Sequence, residues 1–168
     1  LGSFFLFEAV LGLLSIPSNF GMRDGVEKRI SEGKDPGQYL AAALLAKIAP
    51  LVVISAGIIA AGGYINDYLG QDFALLLVGM LFVREYAQLS MSVLRGELRV
   101  GETAVLKVTK ELSWLCIGVL LLHFGFGVSS LIGGLAIGYG LVLLWGWHRV
   151  SISLARPSVA HVRSLFDY

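Results

Sequence analysis

Long apolar segments separated by short charged ones run along the whole chain. Residues 112–148 contain no Asp, Glu, Lys or Arg, and this run is about twice the ~20 residues that one crossing of a bilayer needs. Gly125, Gly127, Ser129 and Ser130 cluster near its middle, as is typical of a tight turn. The pattern therefore predicts two membrane helices joined as a hairpin.

Three further apolar segments precede this hairpin. They carry few charges: Glu8 in the first, Lys47 near the start of the second, and the adjacent Arg84 and Glu85 in the third. Pro17 is expected to interrupt or bend the first. The sequence thus predicts an all-α, polytopic membrane helix bundle with five transmembrane helices. The predicted spans are residues 1–21, 39–65, 73–94, 108–126 and 129–148.

The distribution of basic residues is an independent test of these spans. Nearly all of the 13 Lys and Arg residues lie in residues 22–38, residues 95–110 and the tail from residue 149. The alternate connections, residues 66–72 and 125–130, have none. Because basic connections stay in the cytoplasm, the pattern predicts a multi-pass protein of the cell membrane whose residue 1 lies outside.

Both ends of the chain suggest that it is a fragment. Five crossings would place the termini on opposite sides, and the chain begins with Leu1 in an apolar run without an initiator Met. We expect residues 1–155 to form the bundle. Residues 156–168, which begin Arg-Pro-Ser, are expected to form a cytoplasmic segment. This segment either leads into a missing next span or is a plain amphipathic helix.

Composition excludes several other classes of protein. The chain is 56% hydrophobic and only 15% charged, with a mean hydropathy of +0.77, whereas soluble domains are about 25% charged. A net charge of +1 favours neither disorder nor nucleic-acid binding. The single cysteine, Cys116, lies in an apolar run and is expected to be a buried thiol.

Two predicted helices carry polar stripes when residues are placed at 100° intervals. The stripe of the first span consists of Glu8, Ser15, Asn19 and Arg23. The stripe of the third span consists of Arg84, Gln88, Met91 and Arg95, with Glu85 and Ser92 beside it. Ionisable residues at membrane depth are costly, so these stripes are expected to face partners or water rather than lipid.

Two interpretations of the membrane charges remain open. Glu8, Lys47, Arg84 and Glu85 can pair with each other and hold helices together. Alternatively, the stripes line a water-filled cavity whose basic residues bind an anionic head group. Lys47, near the end of its span, is expected to extend towards the cytoplasmic interface.

Other features indicate packing rather than chemistry. Gly134 and Gly138, with Gly133 and Gly140 nearby, form a small-x-x-x-small pattern that predicts close approach of another helix. The sequence shows no metal-ligand cluster, no nucleophile spaced to meet a base and no glycine-rich phosphate loop. We therefore expect a protein without catalytic residues, metal or cofactor.

Two stretches resemble a known family. They are SNFGMRDGVEKRISE at residues 18–32 and LRGELRVGET at residues 94–103. Both resemble polysaccharide-export flippases, and more specifically archaeal members of the multidrug, oligosaccharidyl-lipid and polysaccharide flippase superfamily. The ending at residues 163–168 resembles the run into helix seven of such a protein. The resemblance implies that this chain is helices two to six, in the N-terminal lobe, of a transporter with 12 to 14 helices.

The resemblance also implies a function, in which alternating access moves a lipid-linked anionic saccharide across the membrane. The implied partners are membrane lipid, that saccharide and the missing C-terminal lobe, with no nucleic acid. Cations must replace water around such an anion, so we expect the substrate-binding residues to be Arg23 and Arg84, together with Asn19 and Gln88 of the same stripes. Family members often carry an acidic residue where Asn19 stands, so the candidates for ion coupling are Glu8 and Glu85.

Two alternatives to this function remain open. One is a drug or metabolite antiporter of the same superfamily, whose commonly cationic substrates would favour acidic residues in the cavity. The other is a non-transporting membrane scaffold in glycan assembly. In a scaffold, all membrane charges would be paired and shielded from water.

Overall fold

The computed structural model describes residues 2–127 and 129–166, and within these residues all regular secondary structure is helical. The first residue of the first predicted span, Val128 of the predicted turn, and the last two residues of the tail lie outside this range. The helices are α1 (Gly2–Asn19), α2 (Met22–Ser31), α3 (Pro36–Ala46), α4 (Ile48–Ala60), α5 (Gly62–Leu69), α6 (Ala74–Gly96), α7 (Val100–His123), α8 (Ser129–Arg149) and α9 (Val159–Ser164).

Four helical segments among the described residues are long and apolar enough to cross a membrane. They are Gly2–Asn19, Pro36–Ala60, Ala74–Gly96 and Ser129–Arg149. Helix α7 has 24 residues, but Lys107, Lys110 and Glu111 in its first half shorten its uncharged stretch. The predicted all-α membrane bundle is confirmed at this level, and the fifth span stays a prediction.

Two prolines lie in the predicted spans, and only one of them interrupts a helix. Helix α3 ends and α4 begins around Lys47, because the ring of Pro50 cannot donate a backbone hydrogen bond and clashes with the carbonyl of Ala46. Pro17 does not interrupt α1, which continues to Asn19. It lies in the last turn, so the missing N–H and the clash with the carbonyl four residues earlier affect only the end of the helix.

The first basic connection contains a packed helix. Met22, Val26 and Ile30, spaced four residues apart, are buried on one face of α2. The chain turns from α1 into α2 at Phe20 and Gly21, both with positive φ (44° and 74°). Helix α2 thereby folds back against α6 instead of extending away from the bundle.

Helices α7 and α8 form a closely packed hairpin. A Cβ atom added to Gly134 would lie 2.7 Å from the carbonyl oxygen of Trp114, and one on Gly138 would lie 2.9 Å from that of Lys110. The predicted close approach at these two glycines is confirmed. The opposite face of α7 is exposed and includes Cys116, so the prediction of a buried thiol is wrong.

The three basic connections meet at one end of the bundle. A Cβ atom on Gly96 would lie 2.8 Å from Ile30 of α2. The Arg29 guanidinium donates hydrogen bonds of 3.3 and 3.2 Å to the carbonyl oxygen of Ser164, and the backbone N–H of Ser151 donates to Glu97 at 3.1 Å. The charges that the sequence predicts on one side of the membrane are therefore neighbours in the fold.

Candidate substrate cavity

A polar cavity lies where the end of α1, the start of α2 and the middle of α6 meet. Its volume is about 720 Å³, and its lining includes all four predicted substrate-binding residues. These residues are Asn19, Arg23, Arg84 and Gln88. The structure brings together side chains from the two polar stripes, as expected if both stripes face the same space. Their role in binding stays a prediction.

A second cavity of about 360 Å³ adjoins the first along Arg23 and Gln88. It extends towards α7 and is lined by three further cations. They are Arg95, Lys107 and Lys110. Two of these cations already have carboxylate partners, since Arg95 contacts Glu27 and Lys110 contacts Glu111. The surroundings of the polar cavity are thus predominantly basic.

Arg84 is a cation without a carboxylate partner among the described residues. Its guanidinium carbon lies 5.8 Å from the centre of the Tyr139 ring, and its buried Nε atom has no hydrogen-bond partner in the same part of the chain. The adjacent Glu85 does not satisfy it, because neighbouring helical residues point about 100° apart. Arg84 can therefore offer its charge and an N–H group to a ligand in the cavity.

Glu85 lies behind the cavity in a cluster formed with Ser15, Arg23 and Lys47, which we call the Glu85 cluster. Glu85 and Lys47 are both 0% exposed, and Lys47 Nζ lies 2.8 Å from Glu85 Oε2. The Ser15 hydroxyl donates a hydrogen bond to Glu85 Oε1, and Arg23 Nη2 lies 4.0 Å from the same oxygen. One carboxylate thus joins α1, α2, α6 and the break between α3 and α4.

The Glu85 cluster contradicts the prediction for Lys47. It also shows that each of the two interpretations of the membrane charges holds for some of these residues. Lys47 contacts Glu85 instead of extending towards the interface, so the prediction that it does so is wrong. Lys47 and Glu85 pair as the first interpretation expects, whereas Arg84 lines a cavity as the second expects. Glu8 is exposed on α1 and is not among the residues that line the polar cavity. Ion coupling through Glu8 or Glu85 stays a prediction.

The surroundings of Arg23 and Asn19 determine the charge of the first side chain and the orientation of the second. Burial lowers the pKa of the Arg23 guanidinium from its ordinary value, and the Glu85 carboxylate opposes this shift. An arginine remains charged under such conditions. The Asn19 side-chain oxygen accepts the backbone N–H of Arg23 at 3.2 Å. This bond orients the amide so that its NH2 group remains available as a donor.

Helices of membrane length around a basic polar cavity define the chain as part of a multi-pass membrane protein. Comparison with known proteins agrees. The whole chain is 46% identical over 168 residues to the probable low-salt glycan biosynthesis flippase Agl15 of Haloferax volcanii. It is 26% identical over 172 aligned residues, covering 99% of the chain, to the probable flippase AglR of the same organism.

These matches confirm the predicted resemblance to a glycan flippase. The chain spans about a third of the relatives' length, 36% of the first and 35% of the second. No family model matches the chain, and no solved structure matches it significantly. The chain is therefore similar to one portion of two proteins that are named as flippases.

Proposed function

We propose that this chain is part of a flippase that moves a lipid-linked anionic saccharide across the cell membrane by alternating access. The names of both relatives support this role, as do the four helices of membrane length. In this proposal α7 also crosses the membrane, between the spans formed by α6 and α8, which brings the number of spans to five. The chain then forms helices two to six of a transporter with 12 to 14. A second lobe of the full protein supplies the other half of the cavity.

One observation carries the proposal, namely that Arg23 and Arg84 line the same polar cavity while Arg84 has no carboxylate partner within the described residues. A lipid-linked saccharide carries phosphate next to the lipid, and moving it requires groups that replace water around that anion. Guanidinium groups bind phosphate through paired, charge-assisted hydrogen bonds. Asn19 and Gln88 supply neutral donors and acceptors for sugar hydroxyls.

The same cavity argues against the two alternatives. A transporter of cationic drugs needs acidic walls, whereas the charged residues that line this cavity are Arg23, Arg84 and Asp24. A scaffold needs its buried charges paired, as Lys47 and Glu85 are. Arg84 departs from that requirement, because the residue is only partly buried and its buried Nε atom has no hydrogen-bond partner among the described residues, so a ligand can satisfy it.

The test is to replace each arginine by alanine in the full-length flippase and express it in cells that lack their own copy. We expect Arg23→Ala and Arg84→Ala to abolish display of the surface glycan while the protein still accumulates in the membrane. Arg156→Ala, at an exposed position outside the cavity, is the matched control and should export normally. Normal export by both cavity variants would refute the proposed site.

A further inference from the structure

The Glu85 cluster places two cations beside one carboxylate at unequal distances. Lys47 Nζ lies 2.8 Å from Oε2, whereas Arg23 Nη2 lies 4.0 Å from Oε1. At 2.8 Å the Lys47 ammonium and the Glu85 carboxylate are in direct contact, as in a charge-assisted hydrogen bond. The carboxylate is therefore neutralised mainly by the lysine, and the arginine is held close without being engaged directly.

Burial makes this division of charge important. Lys47 and Glu85 are completely buried, while the Arg23 side chain is 20% exposed and lines the cavity. Charges interact more strongly where water is excluded, so an unneutralised Glu85 would attract the nearest available cation. That cation is Arg23. Its buried Nε atom has no hydrogen-bond partner among the described residues, so it can form a second bond after a small movement.

We propose that Lys47 is a positioning residue, which holds Glu85 and thereby keeps Arg23 available to an anionic head group in the cavity. This inference rests on the proposed function, because it assigns Lys47 a part in the same site. Lys47 does not touch the ligand. It acts by occupying the carboxylate that would otherwise withdraw Arg23 from the cavity wall.

The proposal predicts different effects for the two halves of the ion pair. In Lys47→Met, Glu85 takes Arg23 as its new partner, so the protein folds but binds anions about tenfold more weakly. In Glu85→Gln, Lys47 loses its counterion and the protein becomes less stable, yet Arg23 stays available and anion affinity does not fall. In the double variant, nothing withdraws Arg23, so affinity equals that of Glu85→Gln.

The experiment measures binding of farnesyl phosphate to the purified full-length protein in detergent micelles, with uncharged farnesol as the probe for tail binding alone. The wild type, both single variants and the double variant are titrated, and thermal unfolding is recorded on the same samples. Lys28→Met, at an exposed position on α2, is the matched control for loss of a lysine. It should bind farnesyl phosphate like the wild type.

A tenfold loss in Lys47→Met that disappears in the Glu85→Gln background supports the proposal. Wild-type affinity in Lys47→Met would overturn it, as would equal loss of affinity in both single variants, which a purely structural pair predicts. If Lys47 acted only through its own charge, the double variant would bind about tenfold more weakly than Glu85→Gln, which would also overturn the proposal. That comparison remains decisive if Lys47→Met alone fails to fold.

Failure of the proposed function has a different signature. A wild-type protein that binds farnesyl phosphate no better than farnesol would remove the anion site itself, and the inference with it. A wild type that prefers the phosphate, combined with an unaffected Lys47→Met, would refute only the role of Lys47.

Discussion

The contact between α7 and α8 offers a direct test of the fold. In Gly134→Ala, the new Cβ would lie 2.7 Å from both the Trp114 carbonyl oxygen and the Gly118 backbone nitrogen. Real Cβ atoms do not approach backbone atoms this closely, so the two helices must separate by several tenths of an ångström. Overpacking of this kind typically costs about 1–3 kcal/mol.

Gly140→Ala is the matched control on the same helix. Its added Cβ would have no atom within 4 Å outside the local backbone. Both variants gain up to about 1 kcal/mol from the higher helix propensity of alanine, so this gain cancels when they are compared. We therefore expect Gly134→Ala to be less stable than Gly140→Ala by roughly 1–3 kcal/mol, which corresponds to about 5- to 150-fold in the unfolding equilibrium.

The assay is equilibrium unfolding of the purified full-length protein, titrated from mild detergent into a denaturing one. Helix content and tryptophan fluorescence would report the transition. Equal stability of the two variants would refute the close packing of α7 on α8, because only that packing distinguishes the two glycines.

Two further predictions concern the tail and the membrane topology. In Gly25→Ala, the added Cβ would overlap the carbonyl oxygen of Leu165, so residues 159–165 should exchange their amide hydrogens faster; unchanged exchange would show that the tail does not pack on α2. In a Cys116→Ser background, a thiol reagent that cannot cross membranes should label Gln71→Cys from outside, and Arg156→Cys only after the membrane is opened. The reverse order would reject the predicted topology.

The sequence was sufficient to predict features that depend on one helix at a time. Helical periodicity placed Arg84 and Gln88 on one stripe of α6. It also placed Asn19 and Arg23 on one stripe of a single helix, and that prediction is wrong, because the turn between them separates α1 from α2. All four side chains nevertheless line one cavity. Charge avoidance likewise predicted a helix over residues 129–148, where α8 runs from Ser129 to Arg149, because the cost of burying charge in lipid is local to each segment. Helix α7 begins earlier than the predicted span, at Val100 instead of residue 108.

Features that depend on which helices are neighbours could not be predicted in this way. Lys47 looked able to reach the interface along its own helix, but its carboxylate partner comes from α6, which follows α4 and α5 in the chain. Helix α2 was missed for a related reason. Its charged residues suggested an exposed connection, while Met22, Val26 and Ile30 at four-residue spacing gave the only sign that one face is buried.

Because Arg84 and Glu85 are adjacent and face different surroundings, the number of residues that precede them in α6 decides which of the two charges faces the cavity. Deleting one residue between Ala74 and Arg84 would rotate the rest of the helix by about 100° and put a carboxylate where the cavity has a guanidinium. Inserting one residue would press that guanidinium against Lys47. Substitutions elsewhere in this stretch leave the charge at this position of the cavity wall intact, but deleting a single codon reverses that charge and inserting one removes it.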